Sequence, residues 1–369
     1  ITEGSAEIFI PIGEKISKKL PVFYNPAMRL NRDITILLLQ QFPAMSLCDP
    51  LAGTGIRAIR LAKEVNHNSI TANDLSERAT ALIKKNMRHN SVKFEVKNED
   101  ANMMLLKSMG YDFIDLDVFG SSNFMLDSAV RRVSRNGILA VTNTDTAALT
   151  GTYPEACVRK YWAKAKRDYL MHETGLRILI RKAQLIGMQH EKALFPIFSY
   201  FKEHYFRIFF QCIKGKKICD EIAMQHGMFN GAGPLWLGNL WDNKLADKMH
   251  GALLKASINN SPLKTNLTKN KKPIKKNIII NNNRDYNEIL NFLKTIKEES
   301  KINAVGFYDM HEIAEKRKSG RIMKKSGLIE KIRKMGFKAA PTHFSGTGIR
   351  TDISYDKMLM LLKGLSRKS

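Results

Sequence analysis

Asp49-Pro50-Leu51-Ala52-Gly53-Thr54-Gly55-Ile56-Arg57 follows a short apolar run, Ser46–Cys48, and leads into an amphipathic stretch of helical length. A strand, a turn of small residues and a helix form the opening of a βα unit. The small residues Ala52, Gly53 and Gly55 let the backbone turn sharply and approach a ligand, and the helix that follows offers free N–H groups at its start. The pattern is not the full GxGxxG of a dinucleotide site. Asp49 would repel a pyrophosphate and attract an ammonium group, which points to S-adenosylmethionine, a nucleotide-like molecule with an α-amine and no phosphate.

Working outward, short apolar runs alternate with helical stretches. Strands are expected at Ser46–Cys48, Ile70–Asn73, Phe94–Lys97, Phe113–Asp117, Ile138–Asn143 and Tyr205–Ile213. Helices are expected near Gly55–Val65, Glu77–Asn90 and Asn123–Val133. Alternation of this kind predicts an α/β fold built on a parallel sheet. Ala193–Phe201 and Tyr205–Ile213, with Glu203 and His204 between them, predict an antiparallel hairpin at its edge.

The chain has 369 residues, enough for two domains. The reading divides it into a catalytic domain, 1–214, and a basic C-terminal domain, 215–369, with a linker or exposed loop at about 255–284. The Asn- and Lys-rich composition predicts disorder over Asn259–Lys276. Beyond it, helices are expected at Tyr286–Lys297, His311–Lys318 and Lys324–Met335, with a strand at Ala304–Tyr308.

No apolar run approaches the roughly 18 residues that cross a bilayer. Ile1-Thr2-Glu3-Gly4-Ser5 lacks the basic start and apolar core of a signal peptide, so a cytoplasmic protein with no membrane partner is expected. The four cysteines, Cys48, Cys157, Cys212 and Cys219, form neither a disulfide framework nor a CxxC pair. Sixty Lys and Arg against 35 Asp and Glu leave a net charge of +25, which favours nucleic acid as partner.

Two more carboxylates follow strands in the same manner as Asp49. Asp74 suits a carboxylate accepting both ribose hydroxyls, and Asp100-Ala101 suits contact with an adenine amine; each is also a plausible helix cap. A further stretch, Asp115-Leu116-Asp117-Val118-Phe119-Gly120-Ser121-Ser122, ends a strand with two acids and a ring. It resembles the Asn/Asp-Pro-Pro-Tyr/Phe motif of methyltransferases that modify an exocyclic amine, and that resemblance implies that Asp117 holds the amine by hydrogen bonding and Phe119 stacks on a flipped base. The alternative has Asp117 capping the next turn and Phe119 in the core.

These residues resemble the tRNA (guanine26-N2)-dimethyltransferases of archaea and eukaryotes. The likeness is carried by Val22-Phe23-Tyr24-Asn25-Pro26 with Asn31-Arg32-Asp33, by Asp49–Arg57, by Asp115–Ser121, by Thr142-Asn143-Thr144-Asp145 with Tyr153-Pro154-Glu155, by Gly233-Pro234-Leu235-Trp236, and by His343-Phe344 with Gly348–Asp352. The resemblance implies a Rossmann-like class I methyltransferase sheet with an antiparallel edge hairpin, plus a smaller α+β C-terminal domain. It implies S-adenosyl-L-methionine as donor and tRNA as substrate, methylated once or twice on N2 of guanine 26. It makes Asp117 catalytic, Phe23 and Phe119 the rings around the base, and Arg32, Arg57, Asp74, Asp100 and Ala101 donor-binding, beside Asp49, Ala52, Gly53 and Gly55.

The chain departs from the family where Val118 stands in place of the usual proline. It also keeps only Cys219 where many members carry a four-cysteine zinc ribbon, so no structural zinc is expected. A monomer is the expected state. Two other readings remain open: a methyltransferase for another RNA or DNA amine, and an inactive RNA-binding protein with this fold.

Overall fold

The structure is a computed structural model and describes residues 1–11, 22–259, 280–316 and 324–366. Seven strands form the central sheet: β1 Met45–Asp49, β2 His67–Asn73, β3 Glu95–Lys97, β4 Tyr111–Asp117, β5 Val133–Asn143, β6 Lys192–Lys202 and β7 Tyr205–Lys214. Their order is β3-β2-β1-β4-β5-β7-β6. The first five are parallel, and β7 runs antiparallel to both β5 and β6, as the alternation and the close apolar pair predict.

Helices link the strands: α1 Arg29–Leu39 precedes β1, and α2 Ile56–Glu64, α3 Glu77–His89, α4 Ala101–Lys107 and α5 Asn123–Arg132 each follow a parallel strand. After β5 come α6 Thr146–Leu149, α7 Pro154–Tyr161 and the long α8 Met171–Met188. The carboxyl ends of β1 to β5 open on one side of the sheet, where ligands bind in this architecture. The chain's residues 1–8 add a small hairpin, Thr2–Glu3 with Ala6–Glu7, which the sequence pattern did not announce.

Beyond the sheet lie α9 Lys216–Ala223, a hairpin of β8 His226–Phe229 and β9 Ala232–Trp236, then α10 Asn243–Asn259 and α11 Asn283–Glu299. The expected linker overlaps α10 at its start; 260–279, with nearly all the stretch expected to be disordered, lies outside the described residues. A three-stranded antiparallel sheet follows, β10 Tyr308–Asp309, β11 Ala339–Pro341 and β12 Gly348–Thr351, with α12 Met310–Lys316, α13 Lys325–Lys334 and α14 Tyr355–Ser366. Trp236, Trp241, Leu245, Leu293 and Phe344 share one apolar core with the central sheet, while Met310, Leu328, Ile332 and Met358 belong to a smaller second core.

Between the two cores Arg350 of β12 is fully buried. It pairs with Glu173 of α8 at 2.7 Å and with Glu299 of α11 at 3.2 Å. It also donates to the carbonyls of Ala304 and Gly306, and Gly306 N–H donates to Glu173. The backbone at 304–306 is therefore spent on this network, which is why the strand expected at Ala304–Tyr308 shrinks to Tyr308–Asp309. Burial would raise the Glu173 carboxyl, but Arg350 and Arg177 together pull it down to about 2. Removing one member of such a buried set strands its partners and costs about 3–5 kcal/mol. Arg350→Ala is expected to lower the unfolding free energy by that amount, read as a fall in the urea midpoint at unchanged slope; an unchanged midpoint would show that the network carries no stability.

Candidate active site

At the carboxyl edge of the sheet, Gly55 caps α2 in the left-handed conformation with φ 79°. Gly53, with φ 54°, faces the chain itself: a Cβ there would stand 2.8 Å from the Phe23 carbonyl oxygen. This close approach draws the segment Val22–Asn25 over the loop and closes a cavity. Phe23, Arg32, Asp49, Ala52, Gly53, Arg57, Asp117 and Phe119 border it, as do Tyr24, Asn25, Met28, Val118, Thr144 and His204.

A layer of buried charge supports the cavity. Arg207 of β7 makes a two-point pair with Asp115, at 2.6 and 2.8 Å, and donates to Thr35 and Thr142. Arg57 of α2 pairs with Asp115 at 3.0 Å and with Asp117, and donates to Asn31 and Thr35. Burial alone would raise the Asp117 carboxyl; Arg57, with help from Arg207 and Arg32, more than offsets this and holds it below the usual range. Its side chain keeps 21% exposure, so a charged carboxylate faces the cavity.

Asp49 is treated differently. It is buried, and its Oδ1 has no hydrogen-bond partner. Burial raises its carboxyl to about 7 against the pull of Arg57, and the neighbouring Asp115 and Asp117 charges push the same way. An unmatched buried acceptor with no cation of its own is a place for a ligand cation.

Phe23 and Phe119 meet edge to face, with ring centroids 4.8 Å apart and planes at 77°. A base stacked on both requires parallel rings about 7 Å apart, twice the carbon contact distance. The rings therefore have to part before they can hold a base as the resemblance implies.

Gly120 N–H donates to Thr144 Oγ1 at 2.7 Å, and Thr144 N–H returns a bond to the Gly120 carbonyl at 3.0 Å. Tyr161 OH donates its one proton to Asp145 at 2.9 Å, stands 3.1 Å from the Ser121 hydroxyl, and accepts from Asn143. The loop 118–122 is thus braced from β5 and α7, and Val118 is buried at 4% exposure. Rigidity that the family's proline would give through its ring comes here from these bonds.

Four expected site residues lie off this cavity, along the same edge. Asp74 accepts from the N–H groups of Gly53 and Ser76, both at 2.9 Å. Asp100 caps α4, accepting from Asn102 and Met103, and Ala101 opens that helix. Gly55 packs against Ile83. Arg32 borders the cavity, yet its guanidinium is occupied by Glu3 through two bonds of 2.6 Å. Arg57 is likewise committed to carboxylates of its own chain.

The sequence reading passed over His204 and Thr144. Neither had a local signal for this role: it is the pairing of Asn143 with Phe206 that sets the hairpin turn at Glu203-His204 over the end of β5. Among the described residues no three His, Cys, Asp or Glu side chains lie together so as to hold a metal ion, and Cys219 is buried in α9. No described helix is long and apolar enough to cross a membrane.

The profile of the N2,N2-dimethylguanosine tRNA methyltransferase family matches residues 4–230 and 223–363. The chain belongs to this family. It is 33% identical to the tRNA (guanine(26)-N(2)/guanine(27)-N(2))-dimethyltransferase of Aquifex aeolicus, over 99% of this chain and 96% of that one. It is 34% identical to the tRNA (guanine(26)-N(2))-dimethyltransferase of Thermococcus kodakarensis, over 99% of both. The solved structure of Trm1 from Pyrococcus horikoshii with S-adenosyl-L-methionine superposes with a TM-score of 0.83 at 32% identity, over 98% of each chain. The family's methyltransferase sheet with its antiparallel strands is therefore the fold of this chain.

In this family member Asp49 keeps its proton up to about pH 7, whereas an unfolded aspartate releases it near 3.9. Between those values the native state binds more protons, so this residue's contribution to stability falls as pH rises. Asp49→Asn removes the term. Its stability relative to the parent is expected to improve between pH 4.5 and 7.5, by on the order of 4 kcal/mol at most. A difference that stays flat with pH in chemical denaturation would contradict the placement of this carboxyl.

Proposed function

We propose that the protein methylates the exocyclic N2 of guanine 26 in tRNA, in one round and then a second, with S-adenosylmethionine as the methyl donor. The observation that carries this reading is the pairing of two unlike carboxylates across one cavity. Asp49 is unmatched and deep; Asp117 is charged and open to the cavity.

The residues fit the donor. Its ammonium group would meet the orphaned Asp49 oxygen, its ribose would lie toward Asp74, and its adenine toward Asp100-Ala101. Each Asp74 oxygen still has a free lone pair after its backbone bond. Leu75 is 69% exposed beside Asp74 and Met103 51% exposed beyond Asp100, which is apolar surface without cover in the chain itself. Arg57 and Arg32, occupied by acids, serve better as supports for the site than as direct ligands. When bound, S-adenosylmethionine supplies a methyl group activated by its positively charged sulfur.

Asp117 accepts a hydrogen bond from the guanine N2–H, and this turns the nitrogen lone pair toward the methyl carbon. As the N–C bond would form, the methyl–sulfur bond would break with its electron pair returning to sulfur, positive charge would pass to N2, and the Asp117 carboxylate would stabilise it from a fixed position. Arg57 keeps that carboxylate ionised and aimed. A weakly basic carboxylate suffices to receive the proton, because the methylated, positively charged nitrogen is a strong acid. Phe23 and Phe119 part to stack on the base and exclude water, and the braced loop 118–122 holds Phe119 beside Asp117.

tRNA is the macromolecular substrate in this reading, drawn by the net charge of +25 and held in part by the basic region 215–369. Asp117→Ala is expected to lower methyl transfer at least a hundredfold while S-adenosylmethionine still binds in calorimetry. Nucleoside mass spectrometry of unmodified tRNA, read at positions 26 and 27, identifies the product. Near-normal transfer by the variant would remove Asp117 from the chemistry, and no N2-methylguanine from the parent protein would remove the reaction itself.

A further inference from the structure

From Ala156 to Arg167 the chain reads Ala-Cys-Val-Arg-Lys-Tyr-Trp-Ala-Lys-Ala-Lys-Arg, five cations with no acid. The C-terminal turn of α7 leads into an extended segment in which exposure alternates. Tyr161, Ala163 and Ala165 are buried, while Trp162, Lys164 and Lys166 point outward, as in a strand with one covered face. Arg159, Lys160 and Arg167 are exposed at its two ends.

The backbone of this segment is pinned at several points. Lys164 exchanges both backbone bonds with Gly233, at 2.7 and 2.8 Å. Arg181 donates to the Trp162 carbonyl. Trp162 itself is the left-handed cap that ends α7, φ 57°, with its N–H donating to the Val158 carbonyl, so the helix end fixes the backbone that carries the ring. Its ring is 49% exposed, and Lys182 Nζ sits over it at 2.9 Å. The result is a fixed aromatic surface set within a row of cations.

The strip abuts the loop 118–122, whose Val118 and Phe119 border the cavity. Asn123, the first residue of α5 after the loop 118–122, donates to the Lys160 carbonyl, and Lys160 Nζ lies 2.9 Å from Asp145, which Tyr161 ties to Ser121. Lys166 is matched by Asp168 at 3.2 Å. Arg159, Lys164 and Arg167 have no acidic partner among the described residues. Phe124, on α5 beside the same loop, adds a ring that is 60% exposed.

We infer that residues 159–167 form a phosphate-binding track on the catalytic half of the molecule, which holds the RNA strand flanking the target guanine. This rests on the tRNA methyltransferase reading and adds to it a location. A base drawn into the cavity leaves its neighbouring phosphates at the rim, so cations there act on the strand being opened, and the basic region 215–369 engages the remainder of the tRNA. Phosphate contacts of this kind fix register and carry no sequence information. Stacking on Trp162 would likewise be sequence-tolerant.

The test compares two triple variants of equal charge change in the full-length protein. One is Arg159→Glu/Lys164→Glu/Arg167→Glu. The other is Lys84→Glu/Arg88→Glu/Lys93→Glu, on exposed positions at the far edge of the sheet. The strip variant is expected to weaken tRNA binding and raise KM for tRNA at least tenfold, with kcat within about twofold of the parent. Its log–log salt dependence should flatten by about two to three units, one for each lost phosphate contact. The control should fall well short of both changes, and S-adenosylmethionine affinity and thermal midpoint, measured on each variant, should match the parent. Equal losses in the two triples, or unchanged tRNA binding in the strip variant, would overturn the track. Failure of the parent to methylate tRNA would sink the enzyme reading alone, because direct binding still reports on the strip.

Discussion

Three carboxylates, Asp49, Asp115 and Asp117, share the carboxyl end of the sheet with two guanidiniums, Arg57 and Arg207, so that ionising all three would leave one negative charge in excess, and burial holds the proton on Asp49 up to about pH 7 instead. Arg32 does not correct the balance, because Glu3 holds it. A buried group of charges is tolerable only when each is paired and hydrogen-bonded. Here the pairing is complete around Asp115, partial at Asp117 and missing at one oxygen of Asp49. That gradient gives the site its division of labour. In the proposed reading the saturated acid is scaffold, the half-open one would face a substrate amine, and the unsatisfied one would take the donor's ammonium group. The +25 surface and the overhanging rings matter only because this arrangement lies beneath them.

Hydrogen bonds brace the loop in which, on the resemblance read from the sequence, a proline would stand where Val118 does. Proline fixes a backbone angle by covalent geometry; the Gly120–Thr144 exchange and the Tyr161 hydroxyl fix the same loop from outside. The stretch Thr142–Asp145, which the resemblance brought forward without a role, acquires one as the opposing wall of the loop. Thr142 meets Arg207 and Asn31, Thr144 meets Gly120, and Asp145 meets Tyr161.

What could be read from the sequence divides by distance along the chain. Glycines in a turn, apolar alternation and a close hairpin are local facts, and they yielded the parallel sheet, its antiparallel edge hairpin and the carboxylates at its edge. Asp100 shows the limit of that reading: a helix cap and an adenine contact have the same local signature, and the structure fills the first role. The partners of the buried arginines have no local signature. Arg57 reaches Asp117 across 60 residues, Arg207 reaches Asp115 across 92, and Arg350 reaches Glu173 across 177. An arginine in a sequence looks like a phosphate or donor ligand until the acids that already occupy it are in view. His204 was hidden for a similar reason, since only strand register brings it over the cavity.

Arg350 has a further consequence. By tying α8 and α11 to β12 at a fully buried joint, it couples the central sheet to the strands that follow. Under the proposed reading, the span from the Asp117 cavity to those strands would then act as a ruler on a folded RNA, adding distance to chemistry as a criterion for the base.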